Sequence, residues 1–231
     1  MVIKKFLNGL YSNAVKDNLR NIHSLVEENN NAKFLDLGCD DGRWTLELSK
    51  KINTTNAYGL EIVSKRMNKA KKLGVLVSKA DLNHKFPFEK NYFDVVHANQ
   101  VIEHLTDIDS FVSEIYRVLK PSGYAIISTE NGSSWCNIFA AFLGFQIFSL
   151  TNFSCKQSGL GNPFALHKTE NLKLPSWTHK TILNYFGLKD LFKVYNFKIQ
   201  KIKCAGYFPF PSFFGKIDKI HSHFITLKII K

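Results

Sequence analysis

Apolar residues recur at helical spacing at the start of the chain. Phe6, Leu10, Val15, Leu19, Ile22 and Val26 predict a helix over residues 2–30. The period then changes. "AKFLDLG" is a short unbroken apolar run and predicts a strand ending at Asp36. "RWTLELSKKI" returns to helical spacing, and "NAYGLEI" predicts a second strand ending at Glu61. Ser64 is placed to cap a basic helix over residues 65–73. "VLVSKA" predicts a third strand ending before Asp81, and "FDVVHAN" a fourth. "DIDSFVSEIYRVLK" is an amphipathic helix stopped by Pro121 and Gly123, and "GYAIIST" is a fifth strand.

Strands that alternate with helices predict an α/β fold with a parallel sheet covered on both faces. The alternation breaks after the fifth strand. Between Asn131 and Cys155 there is no charged residue, and the centre, "IFAAFLGFQIFSL", is strongly apolar. A membrane-spanning helix needs about 20 mostly apolar residues. This run is shorter and is flanked by Asn, Ser, Thr and Gln, so it reads as a buried helix or a lid, with peripheral membrane contact as the alternative. The pattern then resumes. Asn184 can cap a helix over residues 185–195, and "FKIQKIKCAGY" and "HSHFITLKII" predict two strands with no helix-length crossover between them. Such a pair is antiparallel and belongs at one edge. The expectation is a doubly wound, Rossmann-like, seven-stranded sheet, mostly parallel with an antiparallel edge pair. The whole chain reads as one domain: a helical cap (1–32), a core (33–130), an insert on the substrate side (131–178), and a C-terminal helix with the edge pair (179–231).

Composition changes this picture little. A chain of 231 residues with 45% hydrophobic content is globular rather than disordered. The net charge of +12 raises the question of nucleic acid or an anionic membrane. Only Arg20, Arg43, Arg66 and Arg117 are arginines, and the remaining basic residues are lysines, which are poorer at bidentate phosphate recognition. Abundant Asn, Ile and Phe fit an AT-rich genome, so the charge reads mainly as solvated lysine faces. Cys39, Cys136, Cys155 and Cys204 stand far apart, with no C-x-x-C and no zinc spacing. No metal is expected, and a reduced, cytoplasmic protein is. The N-terminal stretch has no cleavable apolar core.

In doubly wound sheets the ligand sits at the carboxyl ends of the strands. Here those positions are Asp36 to Gly42, Glu61, Asp81 and Asn99, and three of the four places offer a carboxylate. A dinucleotide fold needs G-x-G-x-x-G. Counting from Gly38, Asp40 stands at the second glycine and Arg43 at the third. An aspartate there faces pyrophosphate with a repulsion on the order of a few kcal/mol. There is also no P-loop. S-Adenosylmethionine removes the conflict, because it has an adenosine, no phosphate, and cationic sulfonium and ammonium groups. Asp36, Asp40 and Asp41 suit those cations. Glu61 can accept from both ribose hydroxyls, Asp81 from the adenine amino group, and Leu82 can pack on the ring.

Four stretches then carry a resemblance: "FLDLGCDDG", "YGLEIV", "KADLNHKFPFEKNYFDVVHANQVIEHL" and "EIYRVLKPSGYAIISTEN", over roughly residues 33–131. The sequence resembles a class I S-adenosylmethionine-dependent methyltransferase of the small-molecule group, with a type 11 methyltransferase domain. The resemblance implies that Asp36, Gly38 and Gly42 shape the methionine pocket. It implies Glu61 at the ribose, Asp81 and Leu82 at the adenine, and the Asn99 carbonyl at the methionine end. The family usually has glycine where Asp40 stands. Each residue also has a plainer reading: Asp36 as a helix cap, Glu61 as a strand-end acid, Asp81 as a turn residue before Asn83, and the glycines as ordinary turn residues.

The acceptor is less legible. Nucleic-acid amino methyltransferases carry [DN]-P-P-[YFW] after the fourth strand, where this chain has "NQVI", and no Pro-Cys nucleophile occurs, so nucleic acid is disfavoured. The acceptor pocket is expected from the N-terminal helix, residues 131–178 and the loop 204–222. An aromatic lid suits a sugar ring, an isoprenoid or another small or lipid-linked acceptor, with oxygen the expected atom. The C-terminal part is similar to uncharacterised prokaryotic methyltransferases often linked to surface-glycan or lipid pathways. His179, His167 and His104 are the candidates for a base or acceptor-orienting group, with Glu103 beside the last; each is otherwise a packing or capping residue. Trp135 and Trp177 either wall the pocket or belong to the core. The alternatives are an RNA or protein methyltransferase, or a non-catalytic module that binds the cofactor.

Overall fold

The computed structural model describes residues 2–168 and 174–231, with side chains from Leu7 onward. Phe6 of the helical pattern and residues 169–173 of the insert lie outside what is described. Seven strands form one sheet: β1 (Phe34–Leu37), β2 (Ala57–Glu61), β3 (Leu76–Lys79), β4 (Phe93–Asn99), β5 (Leu119–Glu130), β6 (Lys198–Ala205) and β7 (Phe224–Ile230). Their spatial order is β3-β2-β1-β4-β5-β7-β6. The order reverses between β1 and β4, which run parallel with Asp36 opposite His97. β7 runs antiparallel to both β5 and β6. The reversed strand is thus slotted inside the sheet, and β6 is the edge. Lys198, Lys201 and Lys203 keep that edge exposed or half-buried and charged, which discourages pairing with another chain.

Side chains alternate between the two faces of the sheet. On one face Leu35, Val96, Ile127 and Leu227 pack under α4 (Ile108–Val118) and α6 (Tyr185–Val194), through Phe111, Ile115, Leu188 and Phe192. On the other, Phe34, Val95 and Ile126 pack under α1 (Val2–His23) and α2 (Arg43–Ile52), through Ile22, Leu48 and Ile52. α3 (Ser64–Lys72) seats Ala70 against Cys39, Val75 and Val77. Each fully buried Leu, Ile or Phe in these layers contributes about 1.5–3 kcal/mol.

Four boundaries differ from the sequence reading. α1 stops at His23 rather than residue 30. Beyond it the chain turns so that Leu25 and Val26 are buried and the Glu27 amide donates to the Tyr124 hydroxyl. Ser64 is not a cap: it is the first residue of α3, behind Val63, and makes no capping bond. The turn leading into it is held instead by Glu61, two residues back, whose carboxylate accepts from Val63 N at 2.8 Å. α4 ends at Val118, before Pro121, because β5 already begins at Leu119 opposite Phe93. The uncharged stretch forms α5 (Trp135–Phe142) and a short 3-10 turn, Phe148–Leu150. Among the described residues no helix is long and apolar enough to cross a membrane. The Asn184 cap is as expected, its side chain accepting from Gly187 N.

Candidate functional site

The turn after β1 is bent by three residues with left-handed backbone: Gly38 (φ 71°), Asp40 (φ 49°) and Gly42 (φ 82°). Asp is one of the few residues that tolerates this region. That is how Asp40 stands where a glycine was expected without disrupting the loop. Its backbone N–H donates to Glu61 Oε2 at 3.0 Å, and its carboxylate pairs with Arg66 at 2.8 Å. Arg66 in turn lies over the Trp177 ring, 4.6 Å from its centroid. Asp41 is directed elsewhere and pairs with exposed Arg43.

Asp36 is buried at the end of β1. Its Oδ2 accepts from Thr45 Oγ1 at 2.6 Å, and its Oδ1 lies 2.7 Å from His97 Nδ1. Glu61 is also buried and ties the turn after β1 to the turn after β2. Asp81 Oδ1 accepts from the backbone and side-chain amides of Asn83 at 3.0 and 2.8 Å, so it does shape a turn. Asn99 Oδ1 accepts from Asn18 Nδ2 of α1 at 3.3 Å. Asn18 Oδ1 accepts from Ser128 and Thr226, which anchors α1 over the strand ends.

These residues line a cavity of about 620 Å³: Asp36, Gly38, Asp40, Glu61, Asp81, Leu82 and Asn99 all reach it. Gly42 does not, which corrects the role expected for it. A Cβ at Gly42 would stand 2.8 Å from Ala70 Cα, so this glycine lets α3 pack against the turn. Trp177 and Lys180, from the insert and the segment after it, close over the same cavity.

A second cavity of about 520 Å³ adjoins the first, and Gln100 and His104 line both. Its walls come from the three segments expected to form an acceptor pocket: Leu7 and Tyr11 of α1, the insert, and Phe208 and Pro209 of the loop before β7. Phe139, Phe145, Phe148 and Phe164 make it strongly aromatic. His167 and His179 both line it. Trp135 lines neither cavity; its Nε1 donates to the Tyr207 hydroxyl at 2.7 Å and its ring stacks on His221.

At the boundary between the cavities stand Glu103 and His104 on the 3-10 turn Ile102–His104, with His179 facing them. The two imidazoles are 4.9 Å apart between centroids. Burial, with His179 nearby, pushes the His104 pKa down to about 4, so this ring is neutral at physiological pH. Burial pushes the Glu103 carboxyl up to about 8. Glu103 Oε2 accepts from Thr129 Oγ1 at 2.9 Å, whereas Oε1 has no hydrogen-bond partner among the described residues.

Two cavity residues escaped the sequence reading. His97, 2% exposed in the middle of β4, looks in sequence like a core residue, yet it lines the first cavity, and its buried Nε2 has no partner among the described residues. Its signal was a polar residue inside a strand buried on both faces. Gln100 has a left-handed backbone (φ 55°) and an equally unpartnered amide nitrogen. Nothing in its sequence context singled it out.

Comparison with known proteins agrees with this geometry. A family model described as "Methyltransferase domain" matches residues 11–202. The chain is similar to the demethylmenaquinone methyltransferase of Staphylococcus aureus, at 26% identity over 71% of this chain and 65% of that protein. It is also similar to the protein of the same name from Lactococcus lactis, at 30% identity over 68% and 61%. These matches therefore span somewhat less than two thirds of the relatives' length. Among solved structures, an S-adenosylmethionine-dependent methyltransferase from Mesorhizobium loti superposes with a TM-score of 0.61 at 14% identity, covering 96% of this chain and all of that one. A Thermotoga maritima structure described as an S-adenosylmethionine-dependent methyltransferase, possibly for histamine, gives 0.62 at 18%, covering 100% and 98%. At such identities the structures establish the fold.

Proposed function

This chain belongs to the methyltransferase domain family, among the S-adenosylmethionine-dependent methyltransferases, and on that premise we propose that it methylates a small or lipid-linked acceptor, at oxygen, held in the aromatic cavity. The observation that carries the reading is the shared wall. An acidic cavity at the strand ends opens, past Gln100 and His104, beside an aromatic one.

The first cavity fits the cofactor in shape and charge. It lies at the switch point between β1 and β4, it has carboxylates where a nucleotide site would need phosphate donors, and it holds buried polar atoms still lacking partners. Glu61 has two oxygens, each with one backbone donor and spare lone pairs for ribose hydroxyls. Asp81 and Leu82 are placed for the adenine. Asp36 fixes the His97 ring through Nδ1, and both residues line this cavity with Asn99, which supports assigning them to the methionine end. When bound, S-adenosylmethionine would supply an electrophilic methyl group on a cationic sulfur, which is also the leaving group.

The protein's own work is alignment and proton removal. The aromatic walls hold the acceptor's apolar body and exclude water. Glu103, His104 and His179 stand where its hydroxyl would meet the cofactor cavity, and there the hydroxyl is oriented and loses its proton. His167, farther into the same cavity, contacts the acceptor's body. Two features favour a lipid-linked acceptor. The curated relatives carry the name demethylmenaquinone methyltransferase, a lipid-soluble ring. Phe142 is 84% and Leu143 60% exposed beside the cavity wall, a surface suited to resting on a membrane that delivers the acceptor. Incubating the protein with methyl-labelled cofactor and fractionated lysate tests this. Label in the organic-soluble or glycolipid fraction is expected. Label confined to RNA or protein overturns the acceptor assignment.

A further inference from the structure

The chain Glu103–His104 and His179 are 75 positions apart in sequence, yet the backbone pins them together. The Lys180 and Thr181 amides both donate to the Glu103 carbonyl, at 2.7 and 3.2 Å. This brings Thr178 over His104, and the Thr178 carbonyl lies 3.2 Å from His104 Nδ1. On the other ring, His179 Nδ1 lies 2.5 Å from the Ser149 carbonyl.

A carbonyl oxygen only accepts, so each Nδ1 carries the hydrogen. In the neutral ring Nε2 is then the nitrogen with the free lone pair. One ligand atom from each of Glu103, His104 and His179 lies within 4.8 Å of the other two. The cluster therefore offers two imidazole nitrogens and a carboxyl group whose Oε1 is buried and without a partner among the described residues, and whose proton a bound cation would displace. Glu103 is 2% exposed. A buried acceptor with nothing to accept from costs about 1–3 kcal/mol, more when charged. A cation at the centre would give that oxygen a partner and take both imidazole nitrogens as ligands.

We propose that Glu103, His104 and His179 form a binding site for one divalent transition-metal ion, such as Zn²⁺ or Mn²⁺, on the wall between the two cavities. Two imidazoles and a carboxylate are the ligand set of catalytic rather than structural sites, which keep a position open. A histidine ligand ordinarily donates its other N–H to a carbonyl or carboxylate, which sets its tautomer and its ring orientation. Both rings already have that second partner here. Metal–ligand bonds of about 2.0–2.2 Å require the three atoms to draw slightly closer than they now stand. All three residues line the aromatic cavity, so the open position faces the acceptor. There the ion would take the acceptor's hydroxyl oxygen and lower its pKa, as it does for a bound water. The hydroxyl proton leaves to solvent, and no oxidant or reductant is needed. This role in the reaction rests on the methyltransferase reading, whereas the binding does not.

The test uses the full chain, without an affinity tag and after chelator treatment. Equilibrium dialysis against Zn²⁺, and the visible absorption of added Co²⁺, should report one equivalent. His179→Ala and Glu103→Gln should each weaken it about tenfold or more. Glu103 is buried, so should its variant fail to fold, His179→Ala carries the test alone, with its thermal shift by S-adenosylhomocysteine as the check on folding. Absence of saturable one-equivalent binding overturns the proposal. So does unchanged affinity in a folded His179→Ala variant. If Zn²⁺ binds but S-adenosylhomocysteine gives no shift even to the wild type, the methyltransferase reading fails and the metal site stands. The converse result removes the metal site alone.

Discussion

Glu61→Gln separates the two jobs assigned to that carboxylate. Glu61 is 7% exposed, and its oxygens accept from Asp40 N at 3.0 Å and Val63 N at 2.8 Å. Glutamine keeps one acceptor oxygen and replaces the other with an NH₂ group. One of the two backbone amides then faces a donor instead of an acceptor. Leaving such a buried donor unpaired costs about 1–3 kcal/mol. For a chain of this size that lowers the melting temperature by roughly 2–4 °C per kcal/mol. The cofactor loses a charged acceptor for its ribose as well. A hydrogen bond to a charged group contributes about 1.5–3 kcal/mol, which is roughly a ten- to hundredfold rise in Kd. Thermal melts without ligand measure the first loss, and calorimetric titration with S-adenosylmethionine below the variant's melting temperature measures the second. A melting shift accompanied by a Kd within twofold of wild type would refute the ribose assignment and leave Glu61 as a loop tie only.

Gly42→Ala should act on stability alone. It places a Cβ 2.8 Å from the α3 backbone at a φ of 82°, and left-handed strain plus overpacking together cost about 2–5 kcal/mol. Urea denaturation should show that loss, while the folded variant keeps wild-type cofactor affinity; a loss below about 1 kcal/mol contradicts the tight packing. Arg66→Ala removes the pair with half-exposed Asp40 and the contact with Trp177. It should cost less than about 1 kcal/mol in stability yet speed cofactor release in stopped-flow measurements, and an unchanged release rate removes Arg66 from the closure over the cavity. For pH dependence, burial pushes the Glu114 carboxyl up, but the Arg117 fork and the Phe86 amide outweigh it and hold the pKa below the ordinary glutamate value. A folded-state pKa below the unfolded one means that this contribution is complete above the unfolded pKa, about 4.3, and is lost as pH falls below it. Glu114→Gln should therefore flatten the acid limb of the stability curve below that pH, and an unaltered limb denies the pair its role.

Much of the lining of the first cavity was legible because parallel strands buried on both faces read as apolar runs. The end of such a run marks where a ligand sits. Asp36, Glu61 and Asp81 follow from that alone. What a glycine does was not legible: Gly38 and Gly42 look alike in sequence, yet one borders the cavity and the other clears a path for Ala70, 28 positions away. His97 was hidden because a lone polar residue in an apolar strand usually satisfies itself in the core. Only the register that sets it opposite Asp36 reveals its place. The second cavity was legible as a set of segments and an aromatic character, but not as a geometry. Glu103 and His179 meet through backbone bonds between the turn after β4 and the end of the insert, which no local pattern encodes. The placement of β7 between β5 and β6 is likewise a choice among edge arrangements that the two strand patterns permit equally.

That placement has a consequence for how the molecule comes into being. β7 follows every other strand along the chain, yet both of its neighbours in the sheet are made before it. While the ribosome has not yet released Phe224–Ile230, β5 offers an open row of amides and carbonyls, and β6 has no strand to join. α1, which precedes every strand of the sheet, shares in the delay, since Asn18 takes one of its hydrogen bonds from Thr226 on β7. A nascent chain halted just short of β7 would thus display a long apolar edge, the kind of surface that chaperones hold and that aggregates recruit. Completion of this half of the sheet waits for β7, a strand made after both of its neighbours, which closes the sheet and fastens a helix that precedes them all.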